Sequence, residues 1–142
     1  MRIEFDVKNL NVILEELEEI ADPADIKKTV GKACALVERS AKEKAPKDTG
    51  ALRRSITSEV VEEDGAIVGR VFTPLEYAPY VEYGTGLFAE SGGGRQTPWS
   101  YQDDEGNWHT TRGQKPQPYM RPALNENREK IVRIIKEGIL ND

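Results

Sequence analysis

Residues 22–46 carry one uninterrupted signal for a long amphipathic helix, and the rest of the chain has to be arranged around it. Ile26, Val30, Ala33, Val37 and Ala41 recur at steps of four, three, four and four, which on a helix forms a single apolar stripe. Asp22 supplies an N-cap, Pro23 the first helical position and Asp25 an acid in the first turn, while Pro46 ends the run. The stripe needs a surface to cover it, and the following residues offer one. Residues 55–63 and 66–73 are rich in Ile, Val, Thr and Phe, and Asp64-Gly65 between them is a two-residue hairpin signal. Leu124, Ile131, Ile135 and Ile139 predict a C-terminal helix starting near Pro122, and Leu10, Ile13, Leu14 and Leu17 predict a short helix over 8–20, so that 1–22 as a whole reads as an acidic N-terminal helix.

The expected fold is therefore α+β: a small antiparallel β-sheet with N-terminal and C-terminal α-helices packed against it. At 142 residues the chain fits one domain with a modest core. Apolar residues make up 37% and charged residues 32%, so the surface is large relative to the core, which suits an elongated subunit that completes its burial against neighbours and almost as well a small globular monomer with a solvated exterior. The net charge of −5 is unevenly spread. Residues 1–22 hold two basic and seven acidic side chains, whereas 23–54 hold nine basic and four acidic ones. Opposed faces of this kind can set register between copies, or can neutralise each other within one subunit.

Residues 84–117 read as a long, partly flexible excursion. Ser91-Gly92-Gly93-Gly94 is flexible by composition, then Trp99-Ser100-Tyr101 and Trp108-His109-Thr110 flank a polar turn, Asp103-Asp104-Glu105-Gly106-Asn107, as a small hairpin. Two readings of Trp99 and Trp108 stand open: rings that bury only against a partner, or a hairpin folded back on its own sheet.

Tests for catalytic or ligand chemistry give little. Asp48-Thr49-Gly50 matches the triplet of an aspartic protease, but one triplet per chain would require a symmetric dimer. The neighbours Lys44, Ala45, Pro46 and Lys47 leave a helix rather than an apolar strand, so Asp48 reads as a turn cap and Gly50 as a permissive backbone position. His109 with Asp103 and Asp104 does not make a closed metal set. Cys34, the one cysteine, excludes an internal disulfide and reads as a buried, inert thiol. Glu82, set between Tyr80 and Tyr83, can accept from Thr85 or pair with Arg53, Arg54 or Arg121. No cofactor, metal or small-molecule substrate is expected. No segment approaches the roughly 18 apolar residues of a membrane span, and no signal-peptide pattern opens the chain, so a soluble protein is expected. A duplex-DNA binder commonly has a pI above about 9, against ≈ 5.1 here.

Three phrases remain: Ala45-Pro46-Lys47-Asp48-Thr49-Gly50-Ala51-Leu52-Arg53, Tyr77-Ala78-Pro79-Tyr80-Val81-Glu82-Tyr83-Gly84-Thr85 and Pro116-Gln117-Pro118-Tyr119-Met120-Arg121-Pro122-Ala123-Leu124. Each mixes turn formers with aromatics or charge. In this order, separated by a hairpin and a variable excursion, they resemble the Hong Kong 97-type phage gene-product-ten-like family of neck or tail-completion proteins, from about Pro23 to the C-terminal helix. The resemblance implies a non-enzymatic structural subunit, a ring of copies of itself between a head connector or adaptor and tail-tube proteins. It implies assembly in the host cytoplasm and residence in the virion; the lack of a long apolar run argues against a membrane partner and the acidic pI against nucleic acid. Asp48, Thr49, Gly50, Glu82, Gly84, Thr85, Pro118, Tyr119 and Arg121 fall on the family pattern. These, with Arg53, Arg54, Tyr80, Tyr83, Trp99 and Trp108, are the candidate partner-binding or architectural residues. Two rival readings are a dimeric aspartic-type protease using Asp48, and a nucleic-acid-associated module whose basic helix face is Lys27, Lys28, Lys32, Arg39 and Lys42.

Overall fold

A computed structural model describes residues 1–6, 22–47 and 50–140. They divide into two compact units, Met1–Pro74 with Tyr119–Asp142, and Leu75–Pro118.

The first unit is built on the expected helix. α1 spans Pro23–Lys44, with the Asp22 side chain accepting from the Ala24 N–H at 2.9 Å. All five stripe residues are buried, together with Cys34. Burying each of Ile26, Val30 and Val37 contributes roughly 1.5–3 kcal/mol, so the stripe is a substantial part of this unit's core.

The stripe lies on a three-stranded antiparallel sheet of order β1-β3-β2, formed by β1 (Arg2–Asp6), β2 (Thr57–Glu63) and β3 (Ala66–Phe72). Asp64 at φ 51° and Gly65 at φ 80° make the tight turn between β2 and β3, the positive-φ pair that matches strand twist. β1 corrects the reading of 1–22 as helical from its start. Ile3 and Phe5 alternate with Arg2 and Glu4, a period-two pattern that pairs with β3 in the register Phe5↔Gly69. The expected helix over 8–20 lies outside the described residues.

Gly69 decides where α1 can cross. A Cβ there would stand 2.7 Å from Cys34 Sγ, 2.9 Å from Phe5 Cζ and 3.0 Å from Val30 Cγ1, so helix and sheet meet where the strand has no side chain. On the opposite face Arg70 lies among three carboxylates: Glu4 at 2.7 Å, Glu59 at 3.1 Å and Glu63, with Arg2 also holding Glu4 at 3.0 Å. Its side chain is only 12% exposed, and the carboxylates, Glu63 foremost, hold the guanidinium firmly charged.

Two further elements depart from expectation. Ser55 ends a short helix, α2 (Ala51–Ser55), instead of opening β2. Its hydroxyl bonds the Leu52 carbonyl at 2.6 Å and Thr73 Oγ1 at 2.7 Å, which turns the chain into the strand. The C-terminal helix is two helices, α4 (Met120–Asn125) and α5 (Arg128–Leu140) when α3 is kept for the Ala78–Tyr83 helix of the second unit. Between α4 and α5, the buried Asn127 side chain donates to Ser40 Oγ at 3.0 Å and to the Ala123 carbonyl at 2.8 Å. Ile131 and Ile135 are fully buried as expected, whereas Leu124 and Ile139 are half-buried.

Candidate functional site

In the second unit, Leu75–Pro118, α3 ends at Gly84 with φ 81° and is followed by a single 3-10 turn, Gly86–Phe88. The returning chain is laced back onto this corner by backbone bonds. Thr85 N–H donates to the Gln114 carbonyl and Gln114 N–H to Thr85 Oγ1, each at 2.9 Å. Leu87 N–H reaches the Arg112 carbonyl at 2.9 Å and Gln117 N–H the Val81 carbonyl at 2.8 Å. Here glycine is required by proximity: a Cβ on Gly86 would fall 2.1 Å from the Arg112 carbonyl oxygen, and one on Gly113 2.0 Å from that of Thr85. A segment whose composition reads as flexible is thus pinned at both ends by its own backbone.

Beyond this corner stands the expected hairpin, β4 (Trp99–Gln102) and β5 (Trp108–Thr111), paired Trp99↔Thr111 and Gln102↔Trp108. Alternation puts Trp99, Tyr101, His109 and Thr111 on one face and Ser100, Gln102, Trp108 and Thr110 on the other. The two tryptophans part company. Trp99 is half-buried, with the Arg95 guanidinium 5.8 Å above its ring, whereas Trp108 is 70% exposed.

The turn is tightly organised. Asp103 Oδ1 accepts the Glu105 N–H at 3.0 Å and the Asn107 N–H at 2.8 Å, Oδ2 meets His109 Nε2 at 2.7 Å, and the His109 ring stacks on Tyr101 at 5.2 Å. The His109 contact, then the Asn107 N–H, holds the Asp103 carboxyl below its ordinary range. In sequence His109 reads as a solvated hairpin histidine rather than a metal ligand; the structure pairs it with Asp103, and that pair organises the turn. Among the described residues no cluster of His, Cys, Asp and Glu could hold a metal ion.

The other candidate residues sort as follows. Asp48 and Thr49 lie outside the described residues. Gly50 has φ 74° and precedes α2, the permissive role expected of it. Arg54 is exposed, whereas the Nε and Nη2 atoms of Arg53 are buried without a hydrogen-bond partner among the described residues. Glu82 is fully buried on α3, while its neighbours Tyr80 and Tyr83 are 60% and 41% exposed. Pro118 is exposed, Arg121 is half-buried on α4, and Tyr119 is fully buried, so Tyr119 acts in the packing of the first unit. Cys34 is buried as expected, and desolvation pushes its thiol up to about 11. Of the candidate basic face on α1, Lys27 is paired with Glu62 and Lys42 with Glu38 at 3.6 Å, and at the end of the helix Lys44 is paired with Glu126 at 2.9 Å.

One distribution stands out. The exposed large apolar side chains among the described residues are Tyr77, Tyr80, Tyr83, Leu87, Phe88, Tyr101 and Trp108, and every one belongs to the second unit. Part of this surface forms a cleft of about 320 Å³, lined by Pro79, Tyr80 and Tyr83 together with Gly86, Gly93 and Gly94. Clustered exposed apolar surface marks a place where other molecules dock.

A family model described as "Bacteriophage HK97-gp10, putative tail-component" matches residues 10–84, more than half of the chain. The chain belongs to the HK97-gp10-like family. No curated protein and no solved structure matches it. The match begins within the acidic N-terminal segment, earlier than the resemblance starting near Pro23, and takes in α1, α2, the β2–β3 hairpin and α3. Membership gives this HK97-gp10-like protein a structural role in the phage tail and places it in the virion. Among the described residues no helix is long and apolar enough to cross a membrane. The matched stretch ends at Gly84, so the 3-10 turn and the aromatic hairpin lie beyond it.

Proposed function

We propose that this HK97-gp10-like protein is a non-enzymatic tail-completion or head–tail-joining subunit. It acts at the neck as a ring of identical copies that meets a head connector or adaptor on one side and tail-tube subunits on the other. The observation that carries the reading is the family match over residues 10–84. The surface supports it: a ring needs two different, complementary patches on each subunit, and the second unit offers both a projecting aromatic hairpin and a cleft. Its exposed rings are of the residue types that anchor protein interfaces. On this reading the chain assembles in the host cytoplasm and remains in the finished particle.

Deleting the gene in its phage or induced prophage and examining the lysate by electron microscopy tests the proposal. Filled heads and separate tails should accumulate, and the chain supplied from a plasmid should restore joined particles. Joined, infectious particles without the protein would refute the neck assignment.

A further inference from the structure

Within the ring just proposed, on which this inference rests, we propose that the outward stripe of α1, Lys28, Lys32 and Arg39, docks the acidic run Glu15-Glu16-Leu17-Glu18-Glu19 of the next copy. The three cations recur at steps of four and seven on the side of α1 opposite its buried stripe, and with Ala35 between them they cover about 16 Å of helix. All three are exposed. The cations bordering them are neutralised locally, Lys27 by Glu62, Lys42 by Glu38 and Lys44 by Glu126. Among the described residues no carboxylate pairs with Lys28, Lys32 or Arg39, and Asp25 and Glu43 stand only at the two ends of the stripe.

The chain itself carries the complement. Residues 9–26 hold six carboxylates and no basic side chain, and four of the six fall within 15–19, a run outside the described residues. Basic stripe and acidic run are different stretches of one chain, as a head-to-tail contact requires, and charge complementarity of this kind fixes register between partners. A second copy is therefore the occupant. A nucleic acid fits less well, because the stripe is short and bounded by carboxylates, and a chain of net charge −5 repels a polyanion everywhere else.

The test is zero-length cross-linking with a carbodiimide, which joins a lysine amine to a carboxylate only where the two touch. Full-length chains of natural and heavy nitrogen are mixed while dilute, concentrated together at low salt, cross-linked and digested for mass spectrometry. Lys28 or Lys32 should be joined to Glu15, Glu16, Glu18 or Glu19 in peptide pairs that carry both isotopes, and high salt should remove those pairs. The exposed-site change Arg39→Glu, which leaves both lysines available, should lower their yield about tenfold or more. In particles assembled in cells the same links should appear as covalent dimers on a gel. Pairs carrying a single isotope would mean that each subunit neutralises its own stripe, and would overturn the inference. So would the absence of these pairs in both settings, indifference to Arg39→Glu, or salt-sensitive binding of a labelled DNA duplex that Arg39→Glu abolishes. A chain found in joined particles without the link would sink this contact alone. Links that form while deletion of the gene leaves heads and tails joined would instead sink the neck assignment.

Discussion

Substituting Gly69 by Ala tests the account of how α1 meets the sheet. The added methyl would stand 2.7 Å from Cys34 Sγ, 2.9 Å from Phe5 Cζ and 3.0 Å from Val30 Cγ1, where ordinary contacts begin near 3.4 Å. Two elements, α1 and β1, would both have to yield, and the atoms concerned are fully enclosed. Overpacking of this kind costs about 1–3 kcal/mol, offset by the roughly 0.5–1 kcal/mol that Ala gains over Gly in a strand. The net expectation is a loss of about 1–2 kcal/mol, or about 4 °C in melting temperature per kcal/mol for a chain this size. Urea unfolding followed by far-ultraviolet circular dichroism is the suitable assay. Both tryptophans lie in the second unit, so their fluorescence would report on a different part of the molecule. Cys34→Ala removes the nearest obstacle. In a double-mutant cycle Gly69→Ala with Cys34→Ala should therefore be less destabilised than the sum of the singles by about 1 kcal/mol. A Gly69→Ala protein as stable as wild type, or strict additivity in the cycle, would refute the claim that this glycine exists for close approach.

Other consequences are as direct. Asn127→Leu removes two buried donations, to Ser40 Oγ and the Ala123 carbonyl, and should cost about 1–3 kcal/mol in the same urea assay. Because the folded Asp103 carboxyl is held below its unfolded value, its contribution to the hairpin is complete above about pH 4 and is lost as the pH falls through the folded pKa. Amide exchange at Glu105 and Asn107 should accelerate on acidification, and Asp103→Asn should remove that pH dependence. Cys34, buried and with its thiol pushed up to about 11, should resist a thiol reagent at pH 8 in the native protein and react at once in denaturant. Gly86→Ala and Gly113→Ala, which drive a methyl into facing backbone, should each loosen the corner beneath the hairpin, seen as faster amide exchange at Thr85 and Leu87.

Where the signal was local and periodic, it was legible before any coordinates. The stripe from Ile26 to Ala41 with its Asp22 cap, the Asp64-Gly65 turn and the Trp99–Trp108 hairpin all depend on neighbours a few residues away, and each formed where the pattern put it. β1 leaves little trace in the sequence because five residues carry only two alternations, Ile3 and Phe5, too short to stand out beside a longer acidic run. The break between α4 and α5 is hidden for a related reason: Leu124 and Ile131, seven residues apart, keep helical spacing across it, and a buried amide at Asn127 leaves no mark in a hydrophobic pattern.

The candidate docking surface was readable in kind but not in detail. Turn formers beside aromatics marked the Tyr77 to Thr85 phrase, yet composition treats Trp99 and Trp108 alike, and Tyr80 and Tyr119 alike. The amino-acid order alone determined the helix, the turns and the family, since these are properties of short stretches and their succession. Which rings are buried, that Gly69 admits a helix, and that Gly86 and Gly113 close a corner were decided only in three dimensions. Such facts depend on residues far apart in the chain arriving within a few ångströms of one another, and no local pattern encodes that distance.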